Sequence, residues 1–420
     1  MKTFVSNLNF PTSLAQGPDG TLYIAESGLP FGHAPKGGRV LRVDPDGHCE
    51  CLLSELREPV NGLLWHDHGL IVAEGGKPGR ISRLNLVNGE HHTILDGLPG
   101  FGNYQTNMTV LGPDGKLYFS QGSMTNSGVI GADSNDMAWL LEVAHDPDLP
   151  GYTITLADQV FHATDREGKA IVTGPFAKYR QAHPPETVLP GQVPCTAAVM
   201  RCNPDGSQLE LVAWGLRNGY GLGFLPDGRL IATDQGADVR GVRPVWNCPD
   251  FLYEIKAGAW YGWPDYYGGI PITDPRYRSP DGSAQPFILA NHDKLPVPEQ
   301  PLLAFAVNAC AVKFAQVPAG HRFEGQLFVA QFGDERPMTG PAGPRVGRNL
   351  VRVKPADWSL HALPDLPVER PIDLCFGADG QILYVLDFGE FEFTATKSII
   401  ARAGSGRILQ VTLDQMEKDL

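Results

Sequence analysis

The chain has 420 residues, with 34 Lys and Arg against 47 Asp and Glu, for a formal net charge of −13. Its 42% hydrophobic and 19% charged residues are those of a folded globular protein. The acidic balance, without basic runs, argues against nucleic acid and anionic membrane as partners. No stretch approaches the roughly 20 apolar residues of a membrane span. The opening MKTFVSNLNFPTSLAQG has no continuous apolar run of a secretory signal, so a cytoplasmic location is expected, or a periplasmic or secreted one if the chain is a trimmed form. The cysteines at 49, 51, 195, 202, 248, 310 and 375 are odd in number and form no Cys-x-x-Cys pair, which indicates neither a disulfide framework nor a zinc site.

In chain order, one phrase recurs: an apolar strand, a tight turn that is usually Asp-Gly, and a second strand ending in a polar residue. It reads PTSLAQGPDGTLYIAES at 11–27, PVNGLLWHDHGLIVAEG at 59–75, TNMTVLGPDGKLYFSQG at 106–122 and NGYGLGFLPDGRLIATDQG at 218–236. It returns as ACAVKFAQVPAGHRFEGQLFVAQFG at 309–333 and PIDLCFGADGQILYVLDFG at 371–389. Asp-Gly between such runs is a hairpin signal. A second phrase supplies a third strand at 38–47, 79–89, 139–148, 250–258, 349–357 and 406–414. A short fourth strand follows most of these, as in CECLLSEL at 49–56. Four strands repeated six times predict an all-β, six-bladed β-propeller over 1–420, whose radial arrangement protects the sheet edges. The last unit lacks a fourth strand and the first has a spare one, so residues 2–9 are expected to pair with 406–413 and close the ring. Pro-rich insertions are expected between the third and fourth units, near 150–196, and between the fourth and fifth, near 264–300, as lids or as decoration.

Inner strands of a propeller begin near one mouth of the channel, so polar residues at their starts converge. Thr12, Asn61, Asn107 and Tyr220 hold such positions, with Asp373 close by. Second strands end in Glu26, Glu74, Gln121, Asp234, Gln331 and Asp387, followed by Gln235 in the fourth unit and by Asp334 and Glu335 in the fifth. Singly these are solvated turn residues; together, oxygen-bearing side chains around one axis suit a hard cation, calcium before zinc.

The segment 212–264 is the most specific. Its Gly-Leu-Arg-Asn opening, Asp-Gln-Gly middle and Gly-Ala-Trp-Tyr-Gly-Trp-Pro ending resemble the glucose/sorbosone dehydrogenase family, as do HRFEGQLFVAQFGDE, GRNLVRVKP and ILYVLDFGE. The resemblance runs in order along nearly the whole chain. It implies a six-bladed propeller that holds pyrroloquinoline quinone and calcium over the channel mouth and oxidises a carbohydrate or related carbonyl compound. On that resemblance Arg217, Asn218, Gln235 and Arg370 face the cofactor and Gly236, Asp250 and Tyr261 fall where the family holds calcium, while Asn107, Asp234 and Asp387, among the polar positions around the axis, are further metal candidates. Tyr104 stands where the family has its catalytic His, Ile372 where it has a second Arg, and Phe332 or Gly333 near its Lys. Tyr104, Arg217 and Asn218 are thus the catalytic candidates, although a phenol with an ordinary pKa near 10 is a poor proton acceptor. His66, His68, His91 and His92 read as peripheral, and His162, His183 and His292 lie in the insertions. Two other readings stay open: a calcium-dependent lactonase or hydrolase resembling the gluconolactonases, in which the metal polarises a carbonyl, and a propeller that only binds carbohydrate.

Overall fold

The computed structural model describes residues 1–100, 102–131, 146–164, 168–396, 398–413 and 416. Among them, strands gather into six four-stranded antiparallel sheets, the blades of a β-propeller. Blade one is Pro11–Gln16, Leu22–Glu26, Gly38–Val43 and Cys49–Leu56, from the inner strand outward. The Asp-Gly turns are built alike. Gly20, Gly115, Gly228 and Gly380 take φ between 69° and 86°, where a side chain would be strained. The preceding Asp19, Asp114, Asp227 and Asp379 each accept the backbone N–H two residues on, at 3.0–3.2 Å.

The ring closes as the spare N-terminal strand predicts. Lys2–Leu8 is the outer strand of blade six, antiparallel to Gly406–Thr412, with Lys2 opposite Gln410 and Leu8 opposite Gly406. Two boundaries differ from the sequence reading. The third strand of blade three is Ala198–Cys202, not 139–148, most of which lies outside the described residues. The first insertion therefore interrupts blade three between its second strand, Leu117–Gln121, and its third. The second insertion likewise falls inside a blade, because the outer strand of blade four is Leu303–Val307, beyond it. Alternating apolar residues at 139–148 fit a strand locally, but the long-range partner of Leu117–Gln121 is what decides. The two insertions touch where Leu156 is bridged to Leu289, and Asp265 of the second forms a fully buried ion pair with Arg243 of blade four.

All six inner strands share one irregularity that positions the site. Each is shifted in register just after its first residue: between Pro11 and Ser13, Val60 and Gly62, Thr106 and Thr109, Gly219 and Gly221, Ala311 and Phe314, and Pro371 and Asp373. A bulge re-aims the residue it frees from pairing. Thr12, Asn61, Asn107, Tyr220, Val312 and Ile372 lie in these shifts, and all six line one pocket at the channel mouth.

Candidate functional site

The pocket has a cavity volume of about 200 Å³. Its rim is a chain of amides crossing four blades. Asn61 Nδ2 donates to Asn107 Oδ1 (3.5 Å), Asn107 Nδ2 to Asn218 Oδ1 (2.8 Å), Asn218 Nδ2 to Gln235 Oε1 (2.7 Å) and Gln235 Nε2 to Cys310 Sγ (3.0 Å). Outside the lining, a lysine bridges the blades whose Thr12 and Asn61 face the pocket. Lys313, fully buried on the inner strand of blade five, crosses the axis and donates to Thr12 O (2.8 Å), Asn61 O (2.9 Å) and Asp373 Oδ2 (3.1 Å) of blades one, two and six. Burial holds its ammonium below the usual lysine range, against the pull of Asp373. The oxygens converging on the axis are thus satisfied by a tethered cation.

The polar ends of the second strands have a different task from ligand binding. Glu26 accepts Asn9 N (2.7 Å), Glu74 accepts Arg57 N (2.9 Å), Asp234 accepts Asn218 N (2.7 Å) and Asp387 accepts Arg370 N (2.8 Å). Each pins the segment that leads into its own blade's inner strand. In three blades the facing Arg that opens the third strand neutralises the carboxylate: Arg39 on Glu26 (2.7 Å), Arg80 on Glu74 (2.8 Å) and Arg407 on Asp387 (3.1 Å). Asp234 faces Phe251 instead, and burial raises its carboxyl to about 7.

Of the sequence candidates, Tyr104, Asn107, Arg217, Asn218, Gln235, Gly236 and Asp250 line the pocket. Asp234, Asp387, Tyr261 and Arg370 are outside its lining. Tyr261 is in the blade core, donating to Glu254 O and accepting from Lys256 N. Arg370 is fully buried and spends its donors on Phe332 O, Gly333 O, Asp334 O, Phe391 O and Glu392. Arg217, 1% exposed, donates to Asn126 O (3.0 Å), Asn126 Oδ1 (2.7 Å), Asp238 Oδ2 (2.6 Å) and Gly236 O. Its guanidinium lies 4.7 Å from the centre of the Tyr104 ring. Recession into the pocket wall keeps the Tyr104 phenol above its ordinary value, so it is protonated at neutral pH. Asp250 accepts Gly236 N (2.9 Å) and Ala311 N (2.8 Å), and burial raises it to about 6.

Neither insertion lids the pocket: no residue from 150–196 or 264–300 lines it among the described residues, nor does any histidine. His292 is instead bonded to Asp265 (2.9 Å) and stacked on Trp260. Sequence reasoning passed over Asn126 and Asp238, which hold Arg217, over Arg240, which shares Asp238 with it, and over Lys313. The signal for Lys313 was a lone charge inside an apolar inner strand, Ala311-Val312-Lys313-Phe314. Glu335, set back in the pocket wall, is raised to about 7, by burial first and against the Arg370 charge. A carboxyl raised in the fold contributes stability that is full below its unfolded value near 4.5 and lost as pH rises through 7. Glu335→Gln is therefore expected to melt a few degrees above the parent at pH 8 and level with it at pH 5. Equal offsets at both pH values in a thermal scan would refute the assignment.

No family model matches the chain. The quinoprotein glucose dehydrogenase B of Acinetobacter calcoaceticus is 25% identical over 302 residues, 64% of this chain and 52% of that protein, so the match spans about half of the relative. The PQQ-bound form of an aldose sugar dehydrogenase from Streptomyces coelicolor superposes with a TM-score of 0.58 at 17% identity, over 98% of this chain and 96% of that one. A Thermus thermophilus protein described as an oxidoreductase (glucose dehydrogenase) gives 0.58 at 18% identity, over 97% and 98%. The chain is a six-bladed propeller with the fold of the soluble quinoprotein sugar dehydrogenases, and it resembles one of them in sequence.

Proposed function

We propose that the protein takes a small carbohydrate at the channel mouth, as an oxidoreductase of the quinoprotein sugar dehydrogenase kind with altered cofactor-facing positions. The observation that carries this reading is the pocket itself. Four of the six bulged residues, Thr12, Asn61, Asn107 and Tyr220, together with the chain of amides, present donors and acceptors for hydroxyl groups at one opening. The sequence similarity supplies the reaction type.

The cofactor-facing residues do not fit a tricarboxylate quinone as they stand. Arg217 is spent on Asn126, Asp238 and Gly236 O, and Arg370 is fully buried behind the wall. Phe332 and Gly333 stand near the place of the family's lysine. Nor do the oxygens assigned to calcium fit the ion: Gly236 O is taken by Arg217, and Asp250 by two backbone N–H groups. Among the described residues no three His, Cys, Asp or Glu side chains gather into a metal-sized cluster.

Dye-linked oxidation of an aldose and of a sugar aldehyde, with the quinone and calcium supplied, tests the reading. Because the cofactor-facing residues are engaged elsewhere, a weak or absent quinone-dependent rate is expected. Any turnover observed is expected to rise in Tyr104→His, which puts a proton acceptor at that position. Calcium-dependent lactone hydrolysis that ignores the quinone would replace the reading with the hydrolase one.

A further inference from the structure

Four carboxylates line the pocket: Asp238, Asp250, Asp334 and Glu335. Three are committed. Asp238 bonds Arg217 and Arg240 (2.6 and 2.9 Å), Asp250 accepts two backbone N–H groups, and Asp334 accepts Arg336 Nε (3.2 Å) and Val346 N (3.0 Å). The Glu335 side chain has no hydrogen bond or contact ion pair among the described residues, and its carboxylate is the one left for a ligand. The lining cations are in the opposite condition. Every donor position of Arg217 is engaged, and Arg240 is held on Asp238. Arg370, which with Arg240 acts on Glu335 against the neighbouring Asp238 and Asp334, is spent on four carbonyls and Glu392. An arriving anion finds no uncommitted guanidinium, and an arriving ammonium finds an uncommitted carboxylate.

We infer that the pocket selects among small carbohydrates by charge, preferring a sugar that bears an ammonium group over one that bears a carboxylate or phosphate, with Glu335 as its counter-ion. This rests on the carbohydrate reading above and names the substrate class within it. The amides of Asn61, Asn107 and Asn218 serve the hydroxyl groups, and the Phe332 and Phe388 rings offer apolar walls for the C–H faces. A charge-assisted hydrogen bond from the ammonium adds to contacts that a neutral sugar also makes.

Calorimetric titration of the full chain at pH 7 with glucosamine, glucose, gluconate and glucose 6-phosphate tests the inference without any turnover. Glucosamine is expected to bind about tenfold or more tighter than glucose, and the two anionic sugars more weakly than glucose. In Glu335→Gln, the preference for glucosamine over glucose is expected to disappear. Glucosamine binding no tighter than glucose, a preference that survives in Glu335→Gln, or an anionic sugar binding best would each overturn the inference while leaving the carbohydrate reading standing. If none of the four binds, the carbohydrate reading fails, and the inference with it.

Discussion

Deleting residues 1–9 is expected to lower the melting temperature by many degrees and to blunt the cooperativity of unfolding. The deleted strand buries Val5 and Leu8, 2% and 1% exposed, against blade six. At about 1.5–3 kcal/mol for each fully buried aliphatic side chain, those two alone carry roughly a fifth or more of the stability of an ordinary domain. The deletion also strips partners from the backbone of Gly406–Thr412, which becomes an open sheet edge. It further frees Glu26 from Asn9 N, and so loosens blade one. Calorimetry on the truncated chain checks this, and an unchanged transition would show that the ring does not depend on its closing strand.

Lys313→Met is expected to cost about 3–5 kcal/mol, the penalty for stranding one partner of a buried ion pair. The substitution leaves Asp373 with its bonds from Ser13 and Leu14 but without a counter-charge, and leaves the carbonyls of Thr12 and Asn61 facing an apolar group. Lys313→Met combined with Asp373→Asn is expected to recover a large part of the loss, because the double change removes the unpaired charge as well. Urea denaturation of Lys313→Met, Asp373→Asn and the double variant measures the coupling. Single and double variants equally unstable would mean that the ammonium acts on the carbonyls alone.

Much of this architecture was legible because each blade repeats its instructions. Asp19-Gly20, Asp114-Gly115, Asp227-Gly228 and Asp379-Gly380 fix four hairpins through an Asp side chain and a glycine at positive φ, which are local events. The third strand of blade three was misplaced because an insertion separates Gln121 from Ala198, and strand pairing across such a gap leaves no local trace. The polar strand ends were visible as a pattern while their task was not. Gly-Arg at 38–39, 79–80 and 406–407, the arginines that neutralise Glu26, Glu74 and Asp387, was the available clue that these carboxylates are structural. The pocket residues Tyr104, Asn107, Arg217, Asn218, Gln235, Gly236 and Asp250 were all named from the sequence, but their commitments were not. Whether Arg217 offers a free guanidinium depends on Asn126 and Asp238, which reach it from other loops.

The lysine that spans the axis has a kinetic corollary. With Lys313 reaching from blade five to blades one and two, an ammonium bridges the axis of the ring, and the opening is expected to act as a blind well and not a tunnel. Whatever goes in must come back out past the same rim. A second reactant therefore has to wait for the first to depart or share the doorway with it, and at high concentration each should inhibit the other competitively.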